Sequence, residues 1–418
     1  MTEQNRPSVP YRILRVFAPF AVGYFMSYLF RTVNAVIADE LTAALGITAA
    51  GLGFLTSAYF IAFGAFQVPL GILLDHFGPR RIQTVLLLVA AAGAALFSVG
   101  DSLGMLAAGR ALIGIGVSAC LMAAITANVM WWPTERLPMV NGLFMASGGL
   151  GAVFATTPVR ALMTVTDWRG LFLGLAFVTV ACAALLYTVV PERPRRDAGG
   201  TWGTLLRGTA EVFSNRLFWR LAPPAVVMQG AFMAYMALWA GPWLRDVNGF
   251  DKPAVAMHLQ YAAIAMVAGY TGFALASDAL RRRGLPPVVV STTGVALATV
   301  MQMVLLLGLP VPPLVSWVVY PFFASASVMI FAILSQGFPP ELAGRVNTAA
   351  NLLMFVVAFT LQWGIGSIID SYPPVPGGFA PEGHRLALLI VVTIQVAALL
   401  WQLWPRRATA VEAESPGD

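Results

Sequence analysis

Long apolar runs occupy most of this sequence and leave little of it with the composition of a soluble protein. Hydrophobic residues make up 58% of the 418 residues and charged residues only 11%, whereas ordinary soluble chains carry about 25% charged residues. A helix of about 20 apolar residues crosses the hydrocarbon core of a bilayer. A soluble core could not bury this much apolar surface, so we predict an all-α membrane protein whose main surroundings are lipid.

Twelve of the runs are long enough to span a bilayer, and eleven spans are the main alternative. Very short turns join the third run to the fourth and the ninth to the tenth. The predicted spans are 15–37, 51–74, 82–100, 104–131, 139–163, 170–190, 220–243, 254–277, 286–308, 313–336, 346–369 and 385–405.

Basic residues are distributed unevenly between alternate loops. With the N-terminus inside, 18 of the 25 lysines and arginines fall on the inner side, six fall on the outer side, and Arg31 lies within the first span. Lys and Arg accumulate in cytoplasmic loops, so both termini are predicted to be cytoplasmic in a bacterial-type inner (plasma) membrane. The net charge of +6 follows this topology and does not indicate a nucleic-acid partner.

A polar connection over 191–219 divides the chain into two halves. Residues 1–190 are predicted to form an N-terminal six-helix bundle, and 220–418 a C-terminal six-helix bundle with a short cytoplasmic tail. The segment 132–141 is matched 206 residues later by 338–347, with Pro, Glu, Val and Asn in register. Parallel repeats of this kind predict two pseudo-symmetric six-helix bundles.

Arg31 is a charged residue well inside the first span, where insertion scales assign a cost of at least ~2.5 kcal/mol. It shares one helical face with Tyr24, Ser27, Tyr28 and Asn34, because these residues follow one another at steps of three and four. Such a stripe predicts a water-filled cavity. The planar guanidinium would bind a carboxylate or phosphate there through two hydrogen bonds.

Two alternatives remain open for Arg31, namely reaching outward to the interface or pairing with Asp39 near the outer end of the span. None of the nineteen acidic residues falls in the middle of a predicted span. Cation sites and most proton relays inside membranes carry a carboxylate. An arginine without an acid therefore favours an anionic ligand and leaves the coupling mechanism open.

Further polar residues within the spans are candidates to hydrogen-bond the same ligand. For those on the second and seventh spans, an interhelical hydrogen bond is an equal alternative. The candidates are Tyr28, Asn34, Tyr59, Gln67 and Gln229.

Arg110 opens the segment 110–116 early in the fourth span. It either orients the site or anchors the outer interface, while Gly114 and Gly116 permit close helix packing. The spans contain no nucleophile–base or metal-ligand pattern, so we expect neither an enzyme nor a bound cofactor.

A polar turn with the pattern G-x-x-x-D-x-x-G-x-R-R joins the second span to the third. Its residues are Gly71, Asp75, Gly78, Arg80 and Arg81. Asp75 can cap the turn, and the two arginines hold its cytoplasmic end by charge.

Charged residues of the inner loops are predicted to form ion pairs between the two halves. Such pairs would stabilise one conformation and break in the other; the alternative is solvated loop charge that contributes little. The residues are Asp75, Glu135, Arg136, Glu341 and Arg345.

The pattern over 71–81 resembles the signature between helices 2 and 3 of the major facilitator superfamily, and the resemblance extends over essentially the full length. Within that superfamily, 28–34 and 131–136 resemble the anion:cation symporter family. This resemblance implies that Arg31 is a ligand of the substrate anion. The family's aspartate before the arginine is Phe30 here, and its helix 4 glutamate is Val117, so proton symport by the family's route is not implied.

The resulting expectation is a secondary active transporter, a symporter by resemblance, that moves a small organic anion by alternating access. A carboxylate is the expected substrate class, a proton or another ion is the coupling partner, and a monomer is expected by analogy. One alternative is an efflux transporter for drug-like or amphiphilic compounds, in which Arg31 is structural. Another is a membrane receptor or sensor that does not transport.

Overall fold

The computed structural model describes residues 8–133, 136–192, 210–339, 342–373 and 375–404. Its described residues form twelve helices long and apolar enough to cross a membrane, which confirms the predicted number. We label them α1 Val9–Thr32, α2 Ala49–Phe77, α3 Pro79–Val99, α4 Leu103–Trp131, α5 Met139–Leu162, α6 Trp168–Val189, α7 Arg216–Asp246, α8 Lys252–Arg281, α9 Pro287–Leu307, α10 Pro313–Leu334, α11 Ala343–Ile369 and α12 Pro381–Leu403.

Local sequence signals fix several helix ends. The hydroxyls of Thr48 and Ser102 accept hydrogen bonds from backbone N–H groups in the first turns of α2 and α4. Gly78 has φ +80°, a value that L side chains rarely adopt, and it ends α2 directly before Pro79 starts α3. The turn predicted between the second and third spans is therefore present.

Several spans are irregular within the bundle. Irregular backbone is tolerated at membrane depth only where other protein groups satisfy it. The irregular positions are a π-helical turn at Ile13–Phe17, an interruption at Val33 before a further helix Asn34–Leu45, an interruption at Ser118 in α4, a π-helical turn at Tyr235–Trp239 in α7, and a 3-10 turn at Ser325–Met329 in α10.

The helices form two pseudo-symmetric bundles, α1–α6 and α7–α12, as the internal repeat predicted. The repeat places Asn141 near the start of α5 and Asn347 near the start of α11. Between the bundles, α2 packs on α11 and α5 packs on α8. A glycine permits the first approach, because a Cβ at Gly64 would lie 2.8 Å from the Cβ of Phe355.

An even number of spans places both chain ends on the same side of the bundle. We call that side the terminal face and the opposite side, with the loops 46–48, 100–102, 163–167, 247–251 and 308–312 and the described residues between 370 and 380, the distal face. Most of the predicted linker, 193–209, lies outside the described residues, so the boundaries at 190 and 220 stay predictions. A cytoplasmic location of the terminal face likewise stays a prediction.

Candidate functional site

Arg31 lies inside the bundle with 8% of its surface exposed. Its Cζ atom lies 4.7 Å from the ring centroid of Tyr28 and 5.4 Å from that of Phe63 on α2. The side chains of Tyr24 and Tyr59 also lie close enough to the guanidinium to interact with its charge. In the described part of the chain no carboxylate pairs with Arg31, and its buried Nε has no hydrogen-bond partner.

The surroundings exclude both alternatives for Arg31. Its burial rules out a side chain that reaches the interface, and Asp39 pairs with Arg245 instead. Acidic residues whose helices are described lie at span ends, as Asp246 and Glu382 do. The Arg31 charge is thus buried among aromatic rings without a counter-ion from the described spans.

The C-terminal bundle contributes Tyr270 of α8 to this region. Its side chain lies close enough to interact with the hydroxyl of Tyr28, the amide of Gln229 and the guanidinium of Arg31. Tyr28 and Tyr270 are both half-buried and belong to different bundles, so the site lies between the two halves. Sequence reasoning missed Tyr270, because nothing in its apolar surroundings distinguishes it from other aromatic residues of the spans.

Aromatic rings from four helices build the walls around the arginine. Phe63 of α2 and Phe355 of α11 have ring centroids 4.5 Å apart. Tyr24 lies 4.7 Å from Phe144 of α5 in a stacked arrangement and 5.1 Å from Tyr28 in an edge contact. These contacts leave the guanidinium as the charged group of a largely aromatic site.

Two of the amide side chains predicted as ligands hold neighbouring helices together in this conformation. Asn34 is fully buried and its Nδ2 donates to the Thr56 hydroxyl at 3.0 Å. Gln67 Nε2 donates to the Ser118 carbonyl at 3.1 Å, which satisfies the backbone where α4 is interrupted. Gln67 therefore makes the interhelical hydrogen bond that was the alternative to binding a ligand, and Asn34 makes such a bond as well.

Gln229 and Tyr59 make similar interhelical contacts. The Ser327 hydroxyl, in the 3-10 turn of α10, donates to Gln229 Oε1 at 2.6 Å. Tyr59 is fully buried, and its hydroxyl lies 3.5 Å from the Ser27 carbonyl. Gln229 nevertheless stays near Tyr270, so it remains at the edge of the site.

Arg110 is fully buried and does not reach an interface, so the second of its two alternatives is wrong. Its Nη1 donates to the Phe30 carbonyl at 2.9 Å, and its Cζ lies 5.0 Å from the ring centroid of Tyr59. Phe30 directly precedes Arg31 and lies one turn before the interruption at Val33. Arg110 thus braces the part of α1 that carries the site.

The arginines of the predicted motif bind within the N-terminal bundle. Arg80 Nε donates to the Tyr187 carbonyl at 3.0 Å, and its Nη1 lies 3.6 Å from Glu192. Arg81 pairs with the same carboxylate at 2.5 Å. These contacts join the start of α3 to the end of α6. Gly71, the first residue of the motif, lies in open space in this conformation, since a Cβ there would meet nothing within 4 Å.

The ion pairs predicted for the terminal face stay a prediction. Glu135 and Glu341 lie outside the described residues, as does the Asp75 side chain. Arg136 is exposed and Arg345 is half-buried.

Ion pairs join the two bundles at the distal face. The Asp39 carboxylate pairs with Arg245 of α7. Glu40 binds Lys252 of α8 at 2.8 Å and Arg160 of α5 at 2.6 Å. Burial raises the pKa of Asp39 even though Arg245 opposes it, whereas hydrogen bonds from Lys252 and Arg160 outweigh burial and lower the pKa of Glu40.

Asp246 connects this face to the rest of the C-terminal bundle. It pairs with Arg245 Nε at 2.5 Å and with His384 Nε2 at 2.9 Å, and it accepts the backbone N–H of Phe379 at 3.2 Å. The same arginine therefore holds carboxylates of both bundles.

A further carboxylate crosses between the bundles at the start of α2. Asp370 accepts the backbone N–H groups of Ala49 and Ala50, both at 2.8 Å, where the helix dipole favours negative charge. Together with the ion pairs, this contact closes the distal face. Sequence reasoning missed these pairs, although the 206-residue offset of the repeat relates position 39 to position 245 and could have drawn attention to them.

A small cavity of about 20 Å³ lies between the bundles, one turn further along α1 from Tyr28 towards the distal face. Apolar groups from four helices form its walls. The lining residues are Thr32, Ala35, Ala152, Thr156, Met236, Leu259, Ala263 and Met266.

The sequence pattern of the Major Facilitator Superfamily matches residues 20–361. A probable sulfoacetate transporter of Cupriavidus necator is 24% identical over 273 residues, covering 62% of this chain and 64% of that protein. The chain thus aligns with slightly less than two thirds of that relative. The hexuronate transporter of Escherichia coli is 22% identical over 430 residues, covering 95% of each protein.

Solved structures agree with the fold. A bacterial homologue of the human lysosomal transporter Spinster, in an inward-facing and unoccupied conformation, superposes with a TM-score of 0.77. The two share 17% identity over 95% of this chain and 97% of the other, so the likeness concerns the fold alone.

Proposed function

The chain belongs to the Major Facilitator Superfamily, and from this membership we propose that it is a secondary active transporter that moves a small organic anion across the inner membrane by alternating access. A carboxylate is the proposed substrate class. The observation that carries the proposal is Arg31, a buried charge between the bundles without a counter-ion from the described residues.

A buried charge is costly unless another group neutralises it. The described partners of Arg31 are the ring faces of Tyr28 and Phe63 and the side chain of Tyr59, which attract a cation but do not neutralise it. An anionic substrate would supply the missing charge, and a carboxylate would match the planar fork of the guanidinium. Arg31 is therefore the proposed substrate ligand, with Tyr28, Tyr270 and Gln229 beside it.

The relatives support an anion. The probable sulfoacetate transporter and the hexuronate transporter are both named for organic acids, although neither exceeds 24% identity to this chain. The basic residues support a periplasmic distal face, since they are concentrated at the terminal face. On this proposal the closed distal face belongs to the state that binds or releases substrate on the cytoplasmic side.

Export of amphiphilic compounds is the second candidate. The aromatic walls around Tyr24, Phe63 and Phe355 favour it, because such walls suit a large apolar substrate. In that case Arg31 would be structural, and transport would survive its replacement.

Ligand-induced thermal stabilisation of the purified protein would test the proposal. The panel would contain carboxylates, phosphates and cationic amphiphiles, measured with wild type, Arg31→Gln and Arg169→Gln. Arg169 is a suitable control, because it pairs with Asp101 within the N-terminal bundle. A ligand present at 100 times its Kd stabilises the native state by about 2.7 kcal/mol.

We expect a carboxylate to raise the melting temperature of wild type and of Arg169→Gln but not that of folded Arg31→Gln. If only cationic or neutral amphiphiles stabilise the protein, and Arg31→Gln keeps that effect, the anion proposal is wrong and export is the better account.

A further inference from the structure

We propose that the transported anion carries its charge at one end of an apolar body, aromatic or alkyl, and is not a polyhydroxylated sugar acid. This inference rests on the proposed function, because it assumes that Arg31 binds the anionic group. It adds the chemical character of the rest of the substrate.

The first argument is that the amide N–H donors near the site are already in use. Asn34 and Gln67 donate to neighbouring helices, and Gln67 serves the backbone at the interruption of α4. Moving the Gln67 amide to a substrate would leave the Ser118 carbonyl without that donor. Both N–H groups are part of the bundle's packing, and the Asn34 Oδ1, which has no partner among the described residues, remains as an acceptor.

The second argument is where the polar partners for hydroxyls lie. The described groups near Arg31 are the hydroxyls of Tyr24, Tyr28, Tyr59 and Tyr270 and the amide of Gln229, whose oxygen already accepts from Ser327. They surround the guanidinium, whereas the lining of the cavity beyond it adds only the hydroxyls of Thr32 and Thr156, which already donate to backbone carbonyls. A sugar acid carries several hydroxyl groups along its body, and each loses its bonds to water on entering the site. The cavity lining offers too few partners to replace them.

The third argument is the path that leads away from the arginine. Tyr28 and Thr32 lie one turn apart on the same face of α1, and Ala35 follows just beyond the interruption at Val33. The Thr32 hydroxyl donates to the Tyr28 carbonyl at 2.9 Å and is occupied. The face leads from the guanidinium to the apolar cavity between α1, α5, α7 and α8.

The cavity shows where the apolar body would extend. Its present volume of about 20 Å³ is close to that of one water molecule. Met236 and Met266 line it, and methionine side chains can change rotamer to fit bodies of different shape. An alkyl or phenyl group entering here would replace contacts between apolar groups and would leave no buried polar atom unpaired.

Two monocarboxylates that differ in their bodies test the inference, namely 3-phenylpropanoate and galacturonate. Their affinities would be measured by calorimetric titration of the purified full-length protein, with Arg31→Gln alongside. We expect 3-phenylpropanoate to bind at least tenfold more tightly, with binding lost in Arg31→Gln.

If galacturonate binds equally well or better and depends on Arg31, the inference is wrong while the proposed function stands. If neither acid binds, and no other anion of the thermal-stability panel does, the proposed function and the inference both fail.

Two substitutions on α8 locate the body of the substrate. Ala263→Phe fills the cavity, whereas Ala268→Phe adds the same ring to an exposed position of the same helix. We expect Ala263→Phe to weaken 3-phenylpropanoate binding at least tenfold and Ala268→Phe to leave it unchanged. Equal affinities in both variants would overturn the assigned path.

A variant that enlarges the cavity covers the case in which Ala263→Phe does not fold. Met236→Ala removes volume from its wall. We expect this variant to improve binding of 5-phenylpentanoate relative to 3-phenylpropanoate by several-fold. An unchanged ratio of the two affinities would contradict the inference.

Discussion

Two buried arginines of the N-terminal bundle differ in their position relative to the site. Arg110 donates through Nη1 to the Phe30 carbonyl and lies over the ring of Tyr59, so its effect on the site is indirect. Its Nε and Nη2, like the Nε of Arg31, have no hydrogen-bond partner among the described residues. Arg31 has aromatic neighbours but no acceptor among the described carboxylates. Replacing Arg31 should therefore affect ligand binding, whereas replacing Arg110 should first affect folding.

A substitution at Asn34 would show whether this residue has a structural role or binds the substrate. Asn34→Ala removes the hydrogen bond to Thr56, and such bonds within membranes contribute about 0.6 kcal/mol on average. We expect a small loss of unfolding free energy in detergent and an unchanged KM for transport. Thr56→Val removes the same bond and should give a similar loss. A large rise in KM with unchanged stability would make Asn34 a substrate ligand, as its position on the Arg31 stripe predicted.

Gly114 permits the close approach of α4 to α2. A Cβ at this position would clash with the Tyr59 carbonyl oxygen, whereas a Cβ at Gly104 of the same helix would meet nothing within 4 Å. We expect Gly114→Ala to lower the unfolding free energy by about 1–3 kcal/mol, as overpacking does, while Gly104→Ala leaves it unchanged or raises it. Thermal unfolding of the purified variants would measure both, and equal effects would contradict the assigned packing.

At the scale of helices, buried side chains and irregular backbone are coupled. Gln67 binds the carbonyl at the interruption of α4, Ser327 of the 3-10 turn in α10 binds Gln229, and Arg110 braces α1 near Val33. Broken helices inside a membrane need such partners. The same pairs occupy polar groups that a substrate would otherwise meet.

The ion pairs of the distal face are expected to hold that face closed. Arg245→Gln removes the partner of Asp39 and weakens the contact of α7 with the N-terminal bundle. Electron–electron distance measurements between spin labels at Val165 and Leu309, exposed residues of distal loops on opposite bundles, should show a population with longer distances. Cys120 and Cys182 would first be replaced, since both are free thiols.

Arg169→Gln provides the matched control for this experiment. Its ion pair with Asp101 also lies at the distal face but stays within one bundle. It should therefore leave the distances unchanged. A shift of equal size in both variants would show that the loss of any surface charge loosens the face.

Lowering the pH should weaken the contact between the bundles at the distal face, because Glu40 becomes protonated. The hydrogen bonds from Lys252 and Arg160 lower the pKa of Glu40 in the closed state, so its stabilising effect is present above its ordinary pKa of about 4.3. That effect is lost as the pH falls through the lowered value. Asp39 acts in the opposite sense, because burial raises its pKa.

The same spin-label distances, measured in detergent between pH 7 and pH 3, would test this expectation. Glu40→Gln should remove the part of the acid-induced opening that depends on Glu40. If wild type and Glu40→Gln open identically over this range, the carboxylate is not responsible.

For the whole molecule, apolar length and the internal repeat were sufficient to predict twelve spans in two related bundles. The predicted first span, 15–37, nevertheless differs from the observed Val9–Thr32. The predicted span begins after Arg12, which packs over the ring of Trp132 with its Cζ 4.9 Å from the centroid. The interruption at Val33 was not predicted, because residues 30–36 contain neither the glycine nor the proline that usually marks a break in a helix.

The candidate site was only partly predictable for a related reason. Arg31 and Tyr28 stand out because a charge and its neighbours at helical spacing interrupt an apolar run. Tyr270 depends on which face of α8 meets α1, and local sequence does not specify that packing. The Asp39–Arg245 pair joins positions related by the repeat, so the information was present but required both halves to be read together.

The unpaired charge of Arg31 also has an electrical consequence. With a monovalent anion bound and no coupling ion beside it, the site is neutral, whereas the empty site carries one positive charge through the conformational change. Moving one charge across a membrane potential of 100 mV changes the free energy by about 2.3 kcal/mol. Exchange of labelled for unlabelled substrate should therefore be insensitive to voltage, while net uptake into proteoliposomes should respond to it through the return of the empty carrier.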